Sequence, residues 1–297
     1  MTKQKKQVLA GILFALPWIV GFTAFLAVPL LQAFYYSFTE YSVLTPPVWI
    51  GLNNYEALMR DELFWKSLGN TLLYAALAIP LSTVSALTLA ILLNAKVKGQ
   101  AFYRTFFFLP SLIPAVPLAI LWLWLFNGDA GIVNSILTPI FGWFDKTPPN
   151  WLGDETWAKG VLVIMSMWTV GHAMVIYLAG LQEVPNQLYE AADLDGATPW
   201  QKMRSVTLPL LSPVIMFNVI MGIIGSLQIF TQPYVMFPGG APARSTYFYT
   251  MYIYDAAFRD NRMGYASAMG WIMFLIILVL TLLALNFFEK RVHYEGG

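Results

Sequence analysis

The chain has 297 residues, 58% hydrophobic, 16% aromatic and 11% charged, with a net charge of +1 and a mean hydropathy of +0.61. Soluble domains carry about 25% charged residues, so this much apolar surface excludes a water-soluble globule, and the near-neutral balance excludes a nucleic-acid binder held by charge. The absence of cysteine excludes disulfides, thiolate metal sites and thiol nucleophiles, and the two histidines, His172 and His293, are too few for a histidine-rich metal site.

A helix needs about 20 apolar residues to cross a hydrocarbon core, whereas barrel strands alternate over about 10. The apolar runs are continuous, so they predict an all-α integral membrane protein with one transmembrane domain over 1–297 and six transmembrane helices. The spans fall near 9–38, 71–93, 105–126, 161–181, 208–236 and 265–288, and none contains Asp, Glu, Lys or Arg. The opening "MTKQKKQVLAGILFALPWIVGFTAF" begins like a signal peptide. Its apolar run is too long for a cleaved one and no small-residue cleavage site follows, so it is expected to be an uncleaved first span. Pro80, Pro110, Pro114, Pro117 and Pro213 predict kinks, because neighbouring helices can satisfy the backbone groups that proline frees.

Three longer loops separate the spans. "WIGLNNYEALMRDELFWKSLGN" shows helical spacing at Tyr55, Leu58 and Leu63, residues 127–158 hold "NWLGDETW", and "FPGGAPARS" gathers the turn formers Gly239, Gly240 and Pro242. With both termini in the cytoplasm, Lys3, Lys5, Lys6, Lys96, Lys98, Arg104, Lys202, Arg204, Lys290 and Arg291 lie inside. Arg60, Lys66, Lys146, Lys159, Arg244, Arg259 and Arg262 then lie outside. The inside segments are also shorter, so the density of positive charge favours this orientation.

The segment 183–207, between spans four and five, is then cytoplasmic. Its pattern encodes helix, tight turn, helix. Pro185 suits a helix start, after which Leu188, Ala191 and Ala192 share a face. Gly196 after Asp195 is a helix stop free to take positive φ. Thr198, Pro199 and Gln201 form a T-x-x-Q capping box with proline at the first helical position. The small residues permit close approach by another backbone, and Glu183, Glu190, Asp193 and Asp195 can pair with basic groups on a partner.

"EAADLDGATPWQKMRSVTLPLLSP", Glu190 to Pro213, resembles the EAA loop of the membrane subunits of ATP-binding-cassette importers. Glu190, Ala191, Ala192, Asp195, Gly196, Ala197, Leu208, Pro209 and Pro213 stand where that pattern places them, with Met203 where many members carry phenylalanine. "WIGLNNYEALMRDELFWKSLGNT", "AFYRTFFFLPSLIPAVPLAILWLWLFN" and "NRMGYASAMGWIMFLIILVLTLL" extend the likeness to the carbohydrate branch, the maltose-type permeases. The resemblance implies a coupling helix at Glu190, Ala191, Ala192, Asp195, Gly196 and Ala197, seated on an ATPase. It implies a second permease subunit, a different chain in such assemblies, two ATPase subunits that carry the ATP and Mg, and an extracytoplasmic sugar-binding protein. The setting it implies is the cytoplasmic (inner) membrane of a bacterium or archaeon. No cofactor is expected on this chain, which has no G-x-x-x-x-G-K-[ST] phosphate loop and no nucleophile–base constellation.

Two other classes fit the sequence less well. An ion-coupled secondary transporter usually places ionisable residues inside its spans, and these spans have none. An intramembrane enzyme would need catalytic groups at depth, where only His172 offers itself. A span without fixed charge suits a neutral hydroxylated ligand, with a polyol phosphate as the alternative within the same importer class. In the fifth span Asn218, Gly222 and Ser226 recur every fourth residue and share a face, and Gln228 and Gln232 make a second pair. Polar groups facing lipid are costly, so both sets should face protein or a water-filled path. Interhelical hydrogen bonds, at roughly 0.6 kcal/mol each, are the competing use. The resemblance assigns sugar binding largely to this helix, with Trp168, Gly171 and His172 contributing from the span before it.

Overall fold

The computed structural model describes residues 3–95 and 98–289, the side chains of 3–10 excepted. Lys96, Lys290, Arg291 and His293, and the side chains of Lys3, Lys5 and Lys6, lie outside the described residues. In chain order the helices are α1 (Lys3–Phe22), α2 (Val28–Ser37), α3 (Asn53–Arg60), α4 (Glu62–Asn94), α5 (Gln100–Phe108), α6 (Ala115–Leu125), α7 (Ile132–Gly142) and α8 (Glu155–Trp168). There follow α9 (Gly171–Glu183), α10 (Asn186–Leu194), α11 (Pro199–Lys202), α12 (Leu208–Leu210), α13 (Ser212–Leu227), α14 (Thr231–Met236), α15 (Tyr249–Tyr254) and α16 (Met263–Glu289). The chain divides into two compact units, Met1–Glu62 with Ile253–Phe274, and Leu63–Tyr252 with Leu275–Gly297.

Four helical stretches are long and apolar enough to cross a membrane: Gly11–Ser37, Glu62–Asn94, Ser212–Met236 and Met263–Glu289. Two bent pairs raise this to six if each pair is one span: Gln100–Leu112 with Ala115–Leu125, bent by 99°, and Glu155–Trp168 with Gly171–Glu183, bent by 42°. The two bends have different causes. At the first, Pro110 sits in a single 3-10 turn, and Pro114, with ψ of 150°, lies just outside α6. Proline supplies no N–H to carry a helix across such a point and biases the residue before it towards extended backbone. At the second there is no proline. The helix lapses at Thr169 and Val170, and Gly171 restarts it pressed onto α5. A Cβ on Gly171 would stand 3.0 Å from the Phe108 backbone and 2.7 Å from Ser111 Oγ, so the approach requires glycine. Pro80, by contrast, lies inside α4 without interrupting it.

In the first unit, α1 and α2 are joined by the π turn Thr23–Ala27. The helical reading did not include the hairpin that follows, β1 (Thr39–Ser42) with β2 (Thr45–Trp49), antiparallel with Thr39 opposite Trp49 and Ser42 opposite Thr45. Its second strand contains Pro46 and Pro47, which the ribbon tolerates because one faces the outer edge and the pairing is irregular opposite them, between Glu40 and Ser42, where no ladder donor is needed. Asn54 of α3 fixes the hairpin: its Nδ2 donates to Ser37 O (3.0 Å) and Thr39 O (2.9 Å). Gly264 of α16 lies so close that a Cβ would meet Thr39 O at 2.0 Å.

The second unit is organised by the small-residue face of α4. Ala78, Ser82, Ala86 and Ala90 recur every fourth residue, and the three alanines are buried. In lipid there is little hydrophobic drive between helices, so close packing over small residues has to hold them together. Ala86 and Ala90 form one core with Met174, Tyr177, Leu178 and Leu181 of α9 and with Leu211. At the other end of α4, Asn70 Nδ2 donates to Arg244 O (2.9 Å) and Tyr247 O (3.1 Å), which pins the turn-rich segment after α14. The turn formers expected there act as such, since Gly239 and Gly240 have φ of 65° and 77°.

Candidate functional site: an exposed helical hairpin and a polar cavity

The hairpin follows from its local sequence. α10 ends in a complete glycine stop: Gly196 N–H donates to Asp193 O (3.1 Å), Ala197 N–H donates to Ala192 O (2.9 Å), and Gly196 has φ of 72°. Two residues on, Thr198 N–H donates to Gln201 Oε1 (2.7 Å) and Gln201 N–H to Thr198 Oγ1 (3.4 Å), which is the expected capping box, with Pro199 opening α11. Pro185 falls one place before α10 as its cap. Two tertiary ties close the arms: Lys202 Nζ on Asp193 Oδ1 at 2.6 Å, and the Tyr189 and Thr207 hydroxyls at 2.9 Å.

The ion pair spends Asp193 inside the hairpin, so it does not await a partner. Glu190 and Asp195 are exposed and make no ion pair among the described residues. Ala191 is exposed, and Ala192 and Ala197 are half-buried. Ala192, Asp195, Gly196, Ala197 and Gln201 line a notch of about 320 Å³ between the arms. The sequence reading overlooked two residues here. Leu194 is 90% exposed and Trp200 70% exposed. Both apolar side chains stand fully presented beside the exposed Glu190 and Asp195. Their signal was present in the sequence, as apolar residues inside an acid-rich stretch.

The cavity depends on non-local packing. About 510 Å³ lies between α4, α8, α9 and α13. His172 of α9 and Asn218, Gly222 and Ser226 of α13 line it together, so the every-fourth-residue face is real. Ser82 and Thr83 of α4, Ser166 of α8, and Thr169 complete a hydroxyl-rich wall that the sequence reading missed. Serine and threonine in apolar helices give little signal, because they commonly bond their own helix. Ser166 does so here through Val163 O (2.7 Å), and Asn218 Nδ2 likewise donates to Val214 O (2.9 Å). Among the described residues no Asp, Glu, Lys or Arg lines the cavity.

The other expected pathway residues lie elsewhere. Trp168 lines a separate apolar cavity of about 370 Å³ with Leu89, Phe106 and Pro110, and its ring meets Trp122 edge-on at 6.0 Å. Gly171 is buried in the contact with Phe108. Gln228 and Gln232 are four apart but share no helix: α13 stops at Leu227, and Phe230, with φ of −137°, precedes α14. Helical spacing therefore does not place those two amides on one face.

Residues 78–294 match the family described as "Binding-protein-dependent transport system inner membrane component". The chain belongs to that family. It is similar to ABC transporter permeases along its length. It is 40% identical to the probable ABC transporter permease protein YesP of Bacillus subtilis (strain 168), over 98% of this chain and 94% of the relative. It is 35% identical to the lactose transport system permease protein LacF of Rhizobium radiobacter, over 95% and 94%. Its fold is that of a chain in the crystal structure of a bacterial ABC transporter involved in the import of the acidic polysaccharide alginate. That match has a TM-score of 0.83 at 24% identity and covers 98% of both chains.

Proposed function

We propose that this chain is the transmembrane subunit of an ATP-driven, binding-protein-dependent importer and forms half of the pathway for a neutral sugar or oligosaccharide. The observation that carries the proposal is the cavity among α4, α8, α9 and α13, lined by hydroxyl, amide and imidazole groups set among apolar side chains such as Ile176, Phe217 and Met221, with no charged side chain among the described residues. Such a wall can exchange hydrogen bonds with sugar hydroxyls at many points while placing no ion in a low-dielectric setting. A polyol phosphate would call for a cation beside it, so the neutral ligand fits better. Coupling to a proton would call for an ionisable group in the wall. Family membership, and the lactose system named for one relative, support the same choice.

Under this proposal each bent pair is one span, giving six, with both termini in the cytoplasm and one transmembrane domain through 1–297. The hairpin within 183–207 docks on an ATPase through Glu190, Asp195 and the small residues Ala191, Ala192, Gly196 and Ala197, helped by Leu194 and Trp200. The partners are a second permease, two ATPase subunits carrying ATP and Mg, and an extracytoplasmic binding protein. The chain itself hydrolyses nothing and holds no cofactor, and it resides in the cytoplasmic membrane. The test is purification with neighbouring gene products, a thermal-shift screen of sugars on the binding protein, and uptake of the best sugar into proteoliposomes. Uptake should require both ATP and the loaded binding protein. Uptake by this chain alone, driven by an ion gradient, would overturn the proposal.

A further inference from the structure

The stretch between α6 and α8 contains a helix that no span accounts for. α7 is rooted on one side by Asn134, whose Nδ2 donates to Gly128 O (2.8 Å) and whose Oδ1 accepts from Trp151 Nε1 (2.7 Å). Val133, Leu137 and Phe141 are half-buried on that side. On the other, Ile132, Ile136 and Ile140 recur every fourth residue and Trp143 follows on the same face. All four are exposed, Ile136 by 61% and Trp143 by 85%. No charged residue occurs from Ile132 to Phe144. The Ser135 and Thr138 hydroxyls donate to Gly131 O (3.0 Å) and Asn134 O (2.6 Å) within the helix, so neither asks for water.

A helix apolar on both sides is normally buried, yet this one is too short to span. Its 11 residues rise about 16 Å, roughly half of a 30 Å hydrocarbon core. Only residues 126–131 separate it from α6, and they are folded: Asn127 Oδ1 accepts from the Asp129 N–H (3.0 Å) and Ala130 N–H (2.9 Å), and Asn127 O accepts from the Gly131 N–H (3.1 Å). α7 is thus held at the C-terminal end of α6, the second arm of the bent apolar pair. Aromatic rings mark that level. Trp122 stacks on Phe126 at 5.0 Å, Phe126 meets Trp151 at 5.7 Å, and Trp151 meets Trp157 at 4.9 Å. Tryptophan gathers in this way where bilayer meets water.

We propose that α7 is an interfacial helix lying in the plane of the outer membrane–water boundary, with Ile132, Ile136, Ile140 and Trp143 in the acyl region of the lipid. The preceding helix α6 carries an exposed apolar stripe of its own, Val116, Ile120 and Trp124. A docked protein would want a polar rim and about one hydrogen bond per 100–200 Å², and the α7 stripe offers no charge and a single donor, the Trp143 indole N–H. A short amphipathic or apolar helix at this boundary buries its face about 5–10 Å deep. Anchored on Asn134, it fixes the extracytoplasmic end of the bent α5–α6 pair against the bilayer.

The chain has no cysteine, so one introduced residue gives a single label in this subunit. Ile136→Cys and Asp129→Cys, each carrying an environment-sensitive fluorophore, are placed in the assembled complex with cysteine-free partners. The complex is held in phosphatidylethanolamine–phosphatidylglycerol nanodiscs containing lipid with a nitroxide high on the acyl chain. The label at 136 should emit further to the blue and be quenched several-fold more by the lipid nitroxide than by aqueous iodide, with the order reversed at 129. Quenching of 136 by iodide and not by lipid would overturn the proposal. Shielding of 136 that appears only when the binding protein is added, without lipid quenching, would assign the face to that protein and overturn it equally.

Discussion

The hairpin of α10 and α11 and the cavity among α4, α8, α9 and α13 are specified in opposite ways. In the hairpin, every deciding interaction spans five residues or fewer except the two ties from Lys202 and Tyr189: a glycine with φ of 72°, two carbonyls satisfied by the turn, and a reciprocal cap. The sequence therefore spells it out. In the cavity no two walls come from one helix. Ser82 and Asn218, both on its wall, are brought together only because small residues let α4 approach the α9 core closely. A region built from local rules should fail locally when a residue changes, and one built from packing should fail by degrees.

The largest effect should come from Gly196→Val. Nothing lies within 4 Å of the Cβ that would be added, so the substitution causes no clash. Its cost is backbone strain, about 1–2 kcal/mol for an L-residue in this conformation, together with a branched side chain on the docking face. ATP-driven uptake should be lost while the complex still binds sugar-loaded binding protein. Normal uptake would show that the hairpin's shape is not what couples. Next come Leu194→Ser and Trp200→Ala. Both side chains are exposed, so the melting temperature of this chain should not move. If they anchor an interface, each should weaken ATPase association by about 2 kcal/mol, roughly 30-fold, as read by surface-immobilised binding. An unchanged affinity in both would leave them as ordinary exposed residues.

The spans show the same contrast between local and non-local information. The four continuous membrane-length helices were legible from apolar length, and proline marked the sharper bend at Pro110 and Pro114. The 42° bend between α8 and α9 was not, because it depends on Gly171 meeting Phe108 across 63 positions in sequence. Pro80 is the converse, a local signal for a kink inside a helix that stays continuous. The β-hairpin at Thr39–Trp49 was hidden by its prolines, which argue against strand everywhere except an open edge. Within the site, Asn218, Gly222 and Ser226 were legible because one helix carries all three. Gln228 and Gln232 obeyed the same spacing rule, but the helix between them stops. Ser82, Thr83, Ser166 and Thr169 obeyed no rule that distinguishes a wall from a self-bonded hydroxyl.

Smaller effects follow in the cavity and at the cap. Ser226→Ala should lower sugar uptake several-fold, since one hydrogen bond contributes about 1 kcal/mol, with the spread among sugars changing more than the overall rate. Uptake and preference unchanged there would make Ser226 a packing residue. The smallest is Thr198→Ala. Loss of an exposed cap costs about 0.5–1 kcal/mol, so uptake should fall only slightly. A loss as complete as that of Gly196→Val would mean that the whole hairpin, and not its turn, is the rigid element.

The separation of coupling from passage is tested most directly by ATP hydrolysis and sugar uptake measured together in one proteoliposome preparation of the Asn218→Ala, Ser226→Ala double variant. Stimulation of ATPase by loaded binding protein should persist at the unsubstituted level while uptake falls by about tenfold or more, as two lost hydrogen bonds would give. Uptake and stimulated hydrolysis falling in proportion, with the complex intact, would contradict it.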